Sequence, residues 1–149
     1  MAETIPIGAD HAGFAMKERL VKELASLGYV AEDLGTHSAD SVDYADYAHQ
    51  VADRVARGVA ARGVLLCGTG NGMAVAANRH HGVRAALAWT PEIAHLARAH
   101  NDANVLVLPA RCLDEENGVA ILKEWLTTPF DGGRHARRVA KIEESESHA

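Results

Sequence analysis

Five short, mostly apolar runs, Thr4 to Gly8, Tyr29 to Asp33, Val64 to Leu66, Arg84 to Ala88 and Val105 to Leu108, punctuate the 149-residue chain, and each leads into a segment of helical character. Strands separated by helices cannot be joined as hairpins. Each return needs a crossover, so the strands lie parallel and helices cover both faces of the sheet. The pattern predicts an α/β chain, a three-layer α/β/α sandwich around a five-stranded parallel Rossmann-like sheet.

The helical segments read as Phe14 to Leu27, Tyr47 to Arg57, Met73 to Ala77, Thr90 or Pro91 to about Ala99, and Asp114 to Leu126. In the first, Leu20, Leu24 and Leu27 share a face while Lys17, Glu18, Lys22 and Glu23 are expected to meet water, and Gly28 ends it. In the second, Tyr47, Val51 and Val55 are in step. Pro129 to Arg138 breaks the alternation with a Gly132-Gly133 turn and a basic helical stretch in which Arg134 and Arg138, four apart, share a face. Neither an internal repeat nor a linker divides the sequence. Residues 1–149 are therefore expected to form one domain, with about 129–149 as a C-terminal arm and Glu143 to Ala149 as its frayed tail.

Composition narrows the partners. A net charge of -5 argues against a broad nucleic-acid footprint and leaves the basic residues for local duties. Cys67 and Cys112 lie in unrelated segments, so free thiols and a reducing, cytoplasmic setting are expected. No apolar run approaches the roughly 20 residues of a membrane helix, and Met1 to Thr4 has no signal-peptide character.

Chemistry concentrates after the third strand, in Cys67-Gly68-Thr69-Gly70-Asn71-Gly72. The glycines turn the backbone sharply into the next helix, leaving a thiol at a strand end. Free loop amides and the helix start would bind an oxyanion there and favour a thiolate. The dinucleotide fingerprint fails, because Met73 and Val75 stand where its third glycine would be; there is no Gly-Lys-Ser/Thr, and no arginine six positions after Cys67 as a cysteine phosphatase loop requires. His95 and His100 diverge on a helix and no H-E-x-x-H occurs, so neither a metal nor a cofactor is expected. Cys112 reads as a small buried residue, and His37, His49, His80, His81, His95 and His148 as surface or capping groups.

Ligands of open parallel sheets bind beyond the carboxyl ends of the strands, where strand order reverses. Asp10 and His11 follow the first strand and Cys67 to Gly72 the third, so adjacent first and third strands would merge the two loops into one pocket. His100-Asn101-Asp102 is either part of a site or a helix cap. Arg134 and Arg138 are either a solvated face or a phosphate clamp.

Taken together, Gly8-Ala9-Asp10-His11-Ala12-Gly13, Asp43-Tyr44, Cys67 to Gly72, Ala76-Ala77-Asn78, His100 to Val105 and Gly132-Gly133-Arg134-His135-x-x-Arg138 resemble the type B ribose-5-phosphate isomerases, relatives of the allose- and galactose-6-phosphate isomerases. The resemblance implies a metal-free, cofactor-free interconversion of ribose 5-phosphate and ribulose 5-phosphate through an enediolate. The family's base is either a cysteine at the position of Cys67 or a glutamate at that of Met73, and this chain carries the cysteine. By the same analogy Thr69 assists, His100 opens the sugar ring, and Asp10 orients or deprotonates a hydroxyl. Tyr44 and Asn101 would contact the sugar, Gly68, Gly70, Asn71 and Gly72 would supply amides, and His11, Arg111, Arg134 and Arg138 would hold the phosphate. Sites shared between two subunits imply a homodimer, with a tetramer as its pairing. Another sugar phosphate, such as allose 6-phosphate, galactose 6-phosphate or a tetrose phosphate, and a non-catalytic sugar-phosphate-binding module remain the alternatives.

Overall fold

The computed structural model describes residues 1–144, so most of the tail expected at Glu143 to Ala149 lies outside the described residues. Its elements are β1 (Thr4–Ala9), α1 (Phe14–Ser26), β2 (Val30–Asp33), α2 (Tyr44–Ala56), β3 (Gly63–Cys67), α3 (Asn71–Ala77), β4 (Ala85–Leu87), α4 (Pro91–Asn101), β5 (Val105–Pro109), α5 (Glu115–Thr127) and α6 (Arg134–Glu143), with a 3-10 turn at Ala110–Cys112. All strands pair in parallel, in the order β2-β1-β3-β5-β4. The chain moves outward from β1 to β2, then returns to β3 on the other side of β1. That reversal makes β1 and β3 neighbours, with Ala9 opposite Leu66.

Side chains on successive strand residues point to opposite faces, and the two cores follow this alternation. Ile5, Ile7, Val64, Leu66, Leu106 and Leu108 join α1, α4 and α5 on one face. Leu65, Cys67, Val105 and Val107 join α2 and α3 on the other. Both faces of β3 and β5 are thus buried, which is why they read as continuous apolar runs.

Three expectations need correction. Lys17 does not face water: its side chain is 0% exposed, with Nζ 2.8 and 2.9 Å from the two Asp33 oxygens and 2.9 Å from Glu18 Oε1. Burial of a lysine is tolerable because opposite charges accompany it. The face is instead left at Leu27, which is 43% exposed beyond the helix end. Cys112, expected in the core, is exposed because it lies in the 3-10 turn rather than on a strand.

Candidate active site

Three segments converge at the carboxyl ends of β1 and β3. The turn after β1 is tied to β3 by the Asp10 N–H donating to the Leu66 carbonyl at 3.2 Å. Beyond β2, Gly35 and Thr36 pair with Ala9, whose amide donates to the Gly35 carbonyl and whose carbonyl accepts from Thr36 N–H, each at 2.8 Å. The segment then returns over His11, where the Val42 N–H donates to Nδ1 at 3.1 Å, and enters α2 at Tyr44.

Those bonds set the state of the side chains. To accept from Val42, Nδ1 of His11 must be unprotonated, so the neutral ring carries its hydrogen on Nε2 and offers a donor there. Asp10 is buried, and its Oδ1 accepts from Ala12 and Gly13 amides at 3.0 and 3.1 Å, leaving Oδ2 for a ligand. This carboxylate builds the turn that presents His11.

Cys67 closes β3, 5% exposed and directed to the α2/α3 side. Gly70 adopts φ 80, a left-handed conformation costly to a residue with Cβ, and starts α3 at Asn71, two residues ahead of the sequence reading. Thr69 Oγ1 accepts from the Asn71 amide at 3.3 Å. A Cβ on Gly72 would stand 2.5 Å from Cε1 of Tyr44, so only glycine lets that ring lie against the loop. Arg111 joins from β5, its N–H donating to the Gly68 carbonyl at 3.0 Å. Asp10, His11, Tyr44, Arg111 and Cys67 to Gly72 therefore form one cluster.

His100, Asn101, Arg134 and Arg138 do not join it. In the β3/β5 pairing Cys67 lies opposite Pro109, whereas Gly63 lies opposite Val105, and α4 ends at Asn101, just before the start of β5 at Val105. Four steps of about 3.3 Å put the two ends roughly 13 Å apart along the strands. The helix runs antiparallel to the strands it connects, so its carboxyl end falls at the opposite edge of the sheet. The family resemblance implies that these residues share a site built from two subunits; within one chain they lie at the other end of the sheet from Cys67.

At that second edge α6 packs against α4. Asp131 N–H donates to the Ala99 carbonyl at 2.9 Å, and the His135 ring stacks on His100 with centroids 4.2 Å apart and planes 11° apart. His135 is buried; desolvation, then the charges of His100, Arg134 and Arg138, hold it below the usual imidazole range against a smaller opposing effect of Asp131. Arg134 and Arg138 are exposed on the first turns of α6. Asp102 is a cap: with φ 48 it ends α4 and its Oδ1 accepts from Arg98 at 2.9 Å. A cavity of about 400 Å³ opens beside Asn101, bordered by Asn78, His80, Arg84 and Ile142. The residues missed from the sequence are Val42, which acts through its backbone, and His135, whose partner is set by tertiary packing. Only its place inside the Gly-Gly-Arg-His run hinted at His135.

A family model described as Ribose/Galactose Isomerase matches residues 5–142. Ribose-5-phosphate isomerase B of Escherichia coli is 43% identical over 138 residues, covering 93% of this chain and 93% of that protein. The crystal structure of a ribose 5-phosphate isomerase from Thermotoga maritima is 50% identical, with a TM-score of 0.93 over 97% of this chain and 99% of its own. Ribose-5-phosphate isomerase B from Mycoplasma genitalium, solved with bound ribulose-5-phosphate, is 38% identical, with a TM-score of 0.95 over 100% of this chain and 99% of its own.

Proposed function

The chain belongs to the ribose/galactose isomerase family, on its type B ribose-5-phosphate isomerase side, and from that premise we propose that this sugar-phosphate isomerase interconverts ribose 5-phosphate and ribulose 5-phosphate through an enediolate. The observation that carries the mechanism is a thiol at the carboxyl end of β3, first in a glycine loop and beside the Asp10-His11 turn. Cys67, as thiolate, takes the proton from C2 of the open-chain aldose. Electrons of the C2–H bond form the C1–C2 double bond, and charge moves to O1. Transfer of the O2 proton to O1, with C2=O2 forming as the C1–C2 double bond takes the carbon-bound proton back from Cys67 at C1, completes the ketose. Loop amides from Gly68 to Gly72 would stabilise the oxyanion, with Thr69 hydrogen bonding to the sugar oxygens.

Ring opening and half of the phosphate grip fall to the other edge. His100 would open the furanose, Asn101 would contact the sugar, and Arg134 and Arg138 would clamp the phosphate with His11 and Arg111. Because one chain holds these groups at opposite ends of its sheet, a complete site takes one edge from each of two copies. A two-fold dimer provides two such sites, since each copy lends the edge that the other lacks.

The test is turnover of ribose 5-phosphate, for wild type and Cys67→Ala, in buffer containing a chelator. Turnover that persists with chelator and disappears in the variant supports a cysteine base without a metal. Full activity in Cys67→Ala would remove the base from the mechanism.

A further inference from the structure

Ring opening needs a donor and acceptor held at a fixed angle to the sugar: a proton leaves the anomeric hydroxyl, the C1–O4 bond breaks, C1=O1 forms, and O4 gains a proton. His100 ends α4 with 42% of its side chain exposed. Among the described residues its close carboxylate is Asp131, with Oδ2 3.9 Å from Nε2, beyond hydrogen-bond range. The firm contact is the parallel face of His135 at 4.2 Å, itself buried and carried on an arm whose Asp131 amide is bonded to Ala99.

We propose that His135 is the positioning residue for ring opening, its imidazole serving as the platform that fixes the plane of His100. This rests on the reading of His100 as the ring-opening group. Residues 131–138 then have two duties on one element: Arg134 and Arg138 hold phosphate while His135 orients the imidazole. One segment couples phosphate docking to the angle of the acid–base group.

The same three groups, His100, Asp131 and His135, have ligand atoms within 4.8 Å of one another. A metal ligand geometry is a poor match for them. Imidazole nitrogens bind an ion in the ring plane at about 2.0–2.1 Å, and two rings stacked 11° from parallel with centroids 4.2 Å apart do not aim at one such point. Stacking suits the platform.

Two steps can be read separately. Conversion of ribose 5-phosphate requires opening of the furanose, whereas ribulose 5-phosphate is already open, and exchange of its C1 hydrogen with deuterated solvent reports proton transfer alone. His135→Leu keeps bulk but removes the aromatic face; it is expected to lower ribose 5-phosphate turnover about 10-fold or more, a part of the roughly 10²–10⁴ that a positioned acid–base group contributes, while exchange on ribulose 5-phosphate stays near wild type. His135→Phe, which keeps the face without a titrating nitrogen, should restore turnover. Equal loss in both readouts, wild-type turnover in His135→Leu, or a His135→Phe protein as impaired as His100→Asn would each overturn the platform. His100→Asn separates the two claims: if it leaves both readouts intact the ring-opening assignment itself fails, and if it alone shows the split only the role of His135 fails.

Discussion

At the scale of single residues the thiol comes first. Cys67→Ala should reduce kcat by about 10²–10⁴, the range for loss of a positioned base, while the thermal melt stays that of a folded α/β protein. Arg134 lies outside the strand-end cluster and on an exposed helix face, so Arg134→Ala should chiefly raise KM, by about 10-fold or more for a lost charged hydrogen bond to phosphate. An unchanged KM for ribose 5-phosphate in steady-state kinetics would remove that arginine from the clamp. Legibility at this scale followed chemistry that is local in sequence. Cys67 was visible because glycines crowd around it, and the Asp10-His11 turn because it directly follows a strand. The His11 tautomer was not, since the Val42 amide that fixes it is 31 residues away. Lys17 was misread for the same reason: helical periodicity assigned it to water, and its actual partner, Asp33, arrives from β2.

At the scale of elements, the Lys17–Asp33 pair pins α1 to the end of β2, just before Gly35 pairs with Ala9. Asp33 is held below the usual carboxylate range; desolvation opposes this, and hydrogen bonds from Lys17 and the Gly35 amide together with the charge of Lys17 outweigh it. A depressed folded pKa contributes stability above the unfolded value of about 3.9, and that contribution is lost as pH falls through the folded value. Wild type should therefore exceed Asp33→Asn in Tm near pH 6, with the gap closing in melts taken at progressively lower pH below about 4. A gap that widens on acidification would reverse the sign of this argument. Gly72→Ala probes the contact between α2 and α3: the Tyr44 ring is 45% exposed and can swing away. The expected result is a raised KM with stability changed by about 1 kcal/mol or less, measured by kinetics beside chemical denaturation. Sequence patterning located all five strands, four of them as apolar runs and β2, Val30–Asp33, from its place between α1 and the next loop, but it began α2 at Tyr47 instead of Tyr44 and α3 at Met73 instead of Asn71. Helix starts depend on backbone turns such as the one at Gly70, which hydrophobic spacing does not encode.

At the scale of the whole molecule, the division of the candidate site between opposite sheet edges has a direct consequence. Cys67→Ala and His100→Asn proteins should each be nearly inactive, yet mixing them under conditions that exchange subunits should restore activity. In a mixed dimer one site collects both substitutions and the other none, so random exchange should restore about a quarter of wild-type sites. No recovery, with exchange verified by mass, would mean that one chain completes its own site. Among the described residues no helix is long and apolar enough to cross a membrane, in keeping with the short runs read from the sequence. By itself the sequence determined the layer architecture, since apolar runs alternating with helices admit a parallel sheet and little else, and it singled out the Asp10-His11 turn and the Cys67 loop that the structure brings together. Tertiary structure alone decided strand order, which makes β1 and β3 neighbours, and the direction of α4, which carries His100 and Asn101 to the edge away from Cys67. The physical reason is that local periodicity records which faces are buried, whereas the edge at which a side chain emerges is set by how each crossover returns across the sheet.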